Sequence, residues 1–248
     1  MKIGLTKNTD KEWEKFLVKN RILSDKDRLM FAPLMEEMRK TIPELMVKKI
    51  PRSEVQATFV LDYILKFGKN KKILCIGCDE DLVYEYLNKI GVKVTAIDPL
   101  INYDLHTFYL KTQDKFDIIF SVSVMEHVKD DEQFIKEICD LLNINGIALL
   151  TMDFFEGYGE PRLTLDEVKR NIRLGRSVGT RFETSKERFK NLSTNVRLYT
   201  SADYKRLSKI VEDSDCFFVD EFIADVEPDF EIVGCKYNFS TMVFKKLH

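Results

Sequence analysis

From Lys71 onward the chain alternates between two hydrophobic rhythms, and that alternation limits its fold more than any other feature. KKILCIG is a short apolar run, DLVYEYLNKIG an amphipathic helix ending at Gly91, and VKVTAID a second apolar run. FDIIFSVSV is a third, followed by a helix through DDEQFIKEICDLLN and then GIALLTMDF. Short apolar runs bounded by turn residues read as buried strands, whereas longer stretches with 3.6-residue periodicity read as helices. Strands that alternate with helices predict a parallel sheet covered on both faces. Ligands of such sheets bind at the carboxyl ends of the strands.

The flanks of this pattern differ from it. Residues 1–67 read as an N-terminal helical extension. Ser24 caps a helix bearing Leu29, Phe31, Leu34, Met35 and Met38, and Ser53 caps another bearing Val55, Phe59, Val60, Ile64 and Leu65. Residues 68–248 form the main domain. Within it the stretch 153–200 breaks the rhythm: between 161 and 200 it holds ten basic residues against four acidic ones. The helix SADYKRLSKIVEDS and the strand CFFVDEFIA follow, and YNFSTMVFKK is expected to pair antiparallel near the sheet edge.

Cys75 and Cys78 make a C-x-x-C, a spacing shared by redox centres and zinc sites. A redox cysteine needs exposure at a helix start, yet Cys75 sits inside Ile73-Leu74-Cys75-Ile76 and reads as a buried small hydrophobe. Zinc needs about four ligands. With three histidines and no second C-x-x-C, no metal is expected. Five widely spread cysteines indicate reduced thiols in a cytosolic compartment. A net charge of −2 gives no global case for nucleic acid. No segment approaches the roughly 20 apolar residues of a membrane span. The start MKIGLTKNTDKEWEKF has no apolar signal core, so a cytoplasmic location is expected.

Gly77 closes the first strand and can turn its backbone tightly toward a ligand. Asp98 ends the next strand, where an acid can accept both hydroxyls of a ribose. The segment FDIIFSVSVMEHVKDDEQFIKEICDLLNINGIALLT then resembles the fourth-strand to fifth-strand unit of class I S-adenosylmethionine-dependent methyltransferases. The Phe116-Asp117 start, the Glu126-His127-Val128 tripeptide and the Asn145-Gly146 turn carry the likeness, with ILCIG and VTAID in the correct order upstream. The resemblance covers about residues 70–152. It implies an α/β, Rossmann-like, mostly parallel seven-stranded sheet with helices on both faces, and an insertion after the fifth strand. The chain departs from the family at Asp79-Glu80-Asp81, which stand where glycines are usual. Carboxylates there repel phosphates but suit a sulfonium and an ammonium. Only 17 residues separate Asp98 from Phe116, so the family's third strand and its helix must be trimmed.

The resemblance implies S-adenosyl-L-methionine as cofactor, bound by Gly77, Cys78, Asp79, Asp98, Pro99, Ser121, Val122 and Ser123, with Arg52 meeting its carboxylate. His127 is the candidate base, because its ordinary pKa lies near neutrality and it follows the fourth strand. Glu126 is its candidate orienting partner. The 153–200 insertion is the expected acceptor-recognition element, with Tyr158, Arg197 and Tyr199 as candidate contacts. Clustered arginines suit an anionic acceptor, and a loose likeness to sugar-modifying members points to a nucleotide-linked or phosphorylated sugar in polysaccharide synthesis. RNA or protein acceptors, and an inactive methyltransferase-like binding protein, are the rival readings. A homo-oligomer is left open.

Overall fold

Four parallel strands form one side of the sheet, as the alternation of apolar runs with helices predicts. The computed structural model describes residues 19–49, 52–154, 199–224, 230–232 and 235–247. In chain order the strands are β1 (Ile22–Leu23), β2 (Ile73–Ile76), β3 (Thr95–Ile97), β4 (Phe116–Val122), β5 (Leu142–Phe154), β6 (Cys216–Phe218), β7 (Phe230–Ile232) and β8 (Cys235–Lys246). The helices are α1 (Asp25–Thr41), α2 (Pro43–Met46), α3 (Glu54–Phe67), α4 (Leu82–Lys89), α5 (Leu105–Lys111), α6 (Asp131–Leu141) and α7 (Ser201–Asp213). The sheet runs β1-β8-β5-β4-β2-β3, with β6 and β7 also on β8. The β3-β2-β4-β5 pairs are parallel, and every pair that β8 makes is antiparallel.

The α/β, methyltransferase-like architecture is as expected in all but one detail, the segment between Asp98 and Phe116. Seven strands make up the sheet as expected, the shortest being Ile22–Leu23 on β8, and β7 is a further hairpin partner of β8 alone. β8 is antiparallel and second from the edge, near the edge as expected, with only the short β1 and β6 beyond it. Residues 238–245 pair with β5 while β1 and β6 take residues 239–240 and 244–246, so β5 lies along one side and β1 and β6 along the other. Between Asp98 and Phe116 the trimmed chain keeps a helix, α5, but makes no strand, which leaves β3 as the sheet's outer strand.

Strand alternation divides the core into two layers. Ile73, Cys75, Ile118, Phe120, Ile147 and Leu149 pack against α1, α3 and α4 through Phe31, Met35, Phe59, Val60 and Val83. Leu74, Ile119, Ala148, Leu150 and Met242 pack the other way, against α5, α6 and α7 through Leu105, Phe134, Ile138 and Leu207. The described part of the N-terminal region is therefore one cover of the sheet, not an appendage. Ser24 begins α1 as expected, in a capping box with Asp27. Leu29 and Leu65, assigned to apolar faces, are exposed. No helix among the described residues is long and apolar enough to cross a membrane.

Candidate functional site

The carboxyl ends of β2 and β3 are stapled by backbone alone. Gly77 leaves β2 at φ +83°, and its N–H donates to the Ile97 carbonyl at 2.8 Å, with Cys78 N donating to the same oxygen at 3.2 Å. A side chain at Gly77 has no room: its Cβ would lie 2.3 Å from Val124 Cγ2. Asp98 follows β3 and is nearly buried. Its carboxylate accepts from Asp79 N at 3.2 Å and Leu100 N at 2.8 Å, so it ties the glycine turn to its own turn. Asn102 completes that turn by accepting from Asp98 N at 3.0 Å.

The acidic run after Gly77 has a structural account. Asp81 is the N-cap of α4, and its carboxylate accepts from Tyr84 N at 2.7 Å. Glu80 takes the left-handed conformation (φ +55°) that a glycine would otherwise supply. Lys48 donates to the Glu80 carboxylate at 3.2 Å and Lys49 donates to its carbonyl. Burial first, and then the charge of Asp98, push the Cys78 thiol up to about 11. Burial likewise pushes Cys75 well above its ordinary value. Both thiols are protonated at neutral pH, so the C-x-x-C supplies no thiolate.

The end of β4 carries the second half of the site. Ser121 is buried, Val122 and Ser123 are half-buried, and Ser123 turns the chain at φ +52° while its N–H donates to Thr151 O at 3.0 Å. Strand alternation puts Ser121 on the face of Ile119, away from Val122. A single 3-10 turn, Met125–His127, follows. Glu126 is 1% exposed and accepts from Asp153 N at 2.7 Å, which fastens this turn to the end of β5. Tyr199 is also fully buried, and its hydroxyl donates to Met125 O at 3.1 Å, beside Asp131 Oδ2 at 3.3 Å. Arg206 grips Asp131 through both terminal nitrogens, at 2.7 and 3.1 Å. That carboxylate, ahead of the opposing effect of burial, raises the guanidinium pKa further. The turn is thus anchored from two sides, and it holds His127 at the surface beside the strand ends.

The structure gathers the predicted residues in two sets. Gly77, Cys78, Asp79, Asp98 and the exposed Pro99 form the β2–β3 side, and Ser121, Val122, Ser123, Glu126 and His127 form the β4 side. Val124 against Gly77 joins them. Arg52, at φ +75°, donates to Asp25 on α1. Tyr199, assigned to acceptor contact, is committed to the Met125 turn. Tyr158 and Arg197 lie outside the described residues, but the ends of that segment meet: Tyr199 N donates to Asp153 O at 3.0 Å. The insertion therefore leaves and returns at the carboxyl end of β5.

Sequence reasoning missed Gln56. It is 1% exposed on the sheet-facing side of α3, and its Nε2 donates to Ser123 Oγ at 2.8 Å. Its Oε1 is buried and accepts no hydrogen bond from the described residues, and the same holds for Ser121 Oγ and Thr151 Oγ1. The available signal was one amide inside the apolar stripe of EVQATFVLDYI. A concavity of about 770 Å³ lies elsewhere: Asn70, Lys71, Lys93 and Thr95 line it at the amino ends of β2 and β3. The chemistry-bearing residues, not that hollow, mark the site, because parallel α/β sheets bind ligands at the opposite ends of their strands. Among the described residues no group of three or more His, Cys, Asp or Glu side chains could hold a metal ion.

Comparison with known proteins agrees with this fold. A family model described as "Methyltransferase domain" matches residues 49–208. A ubiquinone biosynthesis O-methyltransferase of Pelagibacter ubique is 34% identical over 100 residues, covering 33% of this chain and 42% of that protein. The human mitochondrial enzyme of the same name is 27% identical over 131 residues, covering 40% of this chain and 36% of that protein. The chain thus spans less than half the length of these curated relatives. Among solved structures, the CurJ carbon methyltransferase covers 85% of this chain and 61% of its own, with 14% identity and a TM-score of 0.50.

Proposed function

We propose, from the premise that this chain belongs to the methyltransferase domain family, that it moves a methyl group from S-adenosylmethionine to an oxygen of a small acceptor. The observation that carries the proposal is the convergence of Gly77, Asp98 and the anchored Glu126-His127 turn at the carboxyl ends of adjacent parallel strands. The residues present fit the donor. Asp98 is an acid at the end of β3, suited to ribose hydroxyls. The turn after Gly77 is acidic, which favours a cationic ligand without phosphates over a dinucleotide. The Gln56 amide that donates to Ser123 also holds a buried acceptor oxygen with no partner among the described residues.

When bound, S-adenosylmethionine supplies a methyl group activated by a sulfonium. The protein's own work is to align the acceptor and take its proton. His127 does the latter, as the imidazole that the anchored turn presents at the surface beside the strand ends. Glu126 acts through the backbone: by holding Asp153 N it fixes the turn that presents His127. The insertion that opens and closes at Phe154 and Tyr199 provides acceptor recognition, with Tyr158 and Arg197 among its contacts.

The basic composition of residues 161–200 supports an anionic acceptor. The names of the curated relatives favour an aromatic hydroxyl, and none of those reported above supports the sugar that the sequence suggested. Free buried cysteines support a cytoplasmic setting. The test is methyl transfer from radiolabelled donor to a panel of phenolic acids, catechols, sugar phosphates, RNA and a cell-protein extract. Label on a phenolic acid or catechol supports the reading. Label confined to RNA or protein replaces it with a rival, and donor binding without any transfer favours an inactive binding protein. His127→Gln should retain donor binding while turnover falls by about 10²-fold or more. Unchanged turnover removes His127 from the mechanism.

A further inference from the structure

We infer that Gln56, on the helix preceding the first parallel strand, is a binding residue for the α-ammonium group of the methyl donor. The inference rests on the donor-binding reading above and extends it to a residue outside the strand-end loops. Gln56 spends its amide N–H on Ser123 Oγ at 2.8 Å, which fixes the head of the side chain at the end of β4. Its carbonyl oxygen is buried there with no donor among the described residues. A glutamine carbonyl can accept two hydrogen bonds, and a buried polar atom left without any is costly, so such an atom marks a place where a ligand donor belongs.

The order of the strands says which part of the ligand arrives. Asp98 at the end of β3 suits the ribose. Gly77 lies next on β2, and Ser123 follows on β4. Neighbouring strands are about 4.8 Å apart, so a ligand crossing from β3 to β4 spans roughly 10 Å. That distance suits the separation of the ribose from the amino-acid end. The end carries an ammonium, which has three hydrogens to donate. Val124, one residue beyond Ser123, contacts Gly77, so the polar head of Gln56 borders the same turn. Ser123 at φ +52° is the position whose hydroxyl Gln56 orients.

The test compares S-adenosylhomocysteine with 5′-methylthioadenosine, which lacks the amino-acid end, by calorimetric titration of the intact chain. Gln56→Leu should weaken S-adenosylhomocysteine about tenfold, about 1.4 kcal/mol, and leave 5′-methylthioadenosine unchanged. Gln56→Glu keeps an acceptor and should hold the preference for S-adenosylhomocysteine at or above that of the wild type. Equal weakening of both ligands by Gln56→Leu shows a merely structural side chain and overturns the inference, as does no weakening of either. Should Gln56→Leu fail to fold, Gln56→Glu decides alone: a reduced preference for S-adenosylhomocysteine overturns the inference. Wild-type protein that binds neither ligand overturns the donor-binding reading itself, and this inference with it.

Discussion

Replacing Gly77 by alanine tests whether the turn after β2 is as constrained as its geometry indicates. The backbone at Gly77 stands at φ +83°, where an L side chain costs roughly 1–2 kcal/mol. The new Cβ would also meet Val124 Cγ2 at 2.3 Å, well inside the ~3.5–4.0 Å of a good carbon–carbon contact. Valine is stiff at χ1 and cannot swing away freely, so overpacking adds about 1–3 kcal/mol. The two effects together give about 2–5 kcal/mol, a large part of the roughly 5–15 kcal/mol that holds a typical domain folded. Urea unfolding of wild type, Gly77→Ala, Val124→Ala and the double variant forms a cycle that separates the causes. Val124→Ala removes the contact but not the dihedral strain, so the double variant should be about 1–3 kcal/mol more stable than the sum of the single losses predicts. A Gly77→Ala loss below about 0.5 kcal/mol, or strict additivity, would refute the reasoning.

Glu126→Ala leaves the Asp153 N–H without its acceptor and should cost about 1–3 kcal/mol in chemical unfolding, with Glu126→Gln costing less. Tyr199→Phe removes the hydroxyl that holds Met125 O and should cost about 1 kcal/mol in the same assay, while Asp131 keeps Arg206. The Glu137 carboxylate raises the pKa of exposed His106 above its ordinary value. Its stabilisation is therefore fully present below about pH 6.5 and lost as pH rises through the raised folded value. Thermal midpoints from about pH 5.5 to about 8.5 should show that loss in the wild type and a flatter profile in His106→Gln.

The central sheet was legible because each buried strand is a continuous apolar run and each crossover helix has its own period. Asp98, Gly77 and the His127 turn were legible because they fall where those runs end. β8 was legible as an antiparallel strand near the edge, but its partners on the far side, β1 and β6, are two and three residues long, too short to leave a pattern. The acidic turn looked like an erosion of the glycine loop. Its logic needs three dimensions: Asp81 caps α4, and Lys48 and Lys49 reach Glu80 from a turn more than 30 residues earlier, just after α2. Tyr199 looked like a ligand contact because an aromatic beside a basic segment has no visible partner in one dimension. Its hydroxyl turns out to serve Met125, 74 residues away. Gln56 was passed over because the apolar stripe around it read as core, which for its neighbours it is.

The most direct test of the account is calorimetric titration of S-adenosylhomocysteine into the wild-type chain and into Asp98→Asn. The asparagine keeps a carbonyl for the turn but loses the charge that accepts the ribose hydroxyls. The account predicts saturable one-to-one binding by the wild type, weakened at least about tenfold in Asp98→Asn. No binding by the folded wild type, or equal affinity in the two proteins, would contradict it.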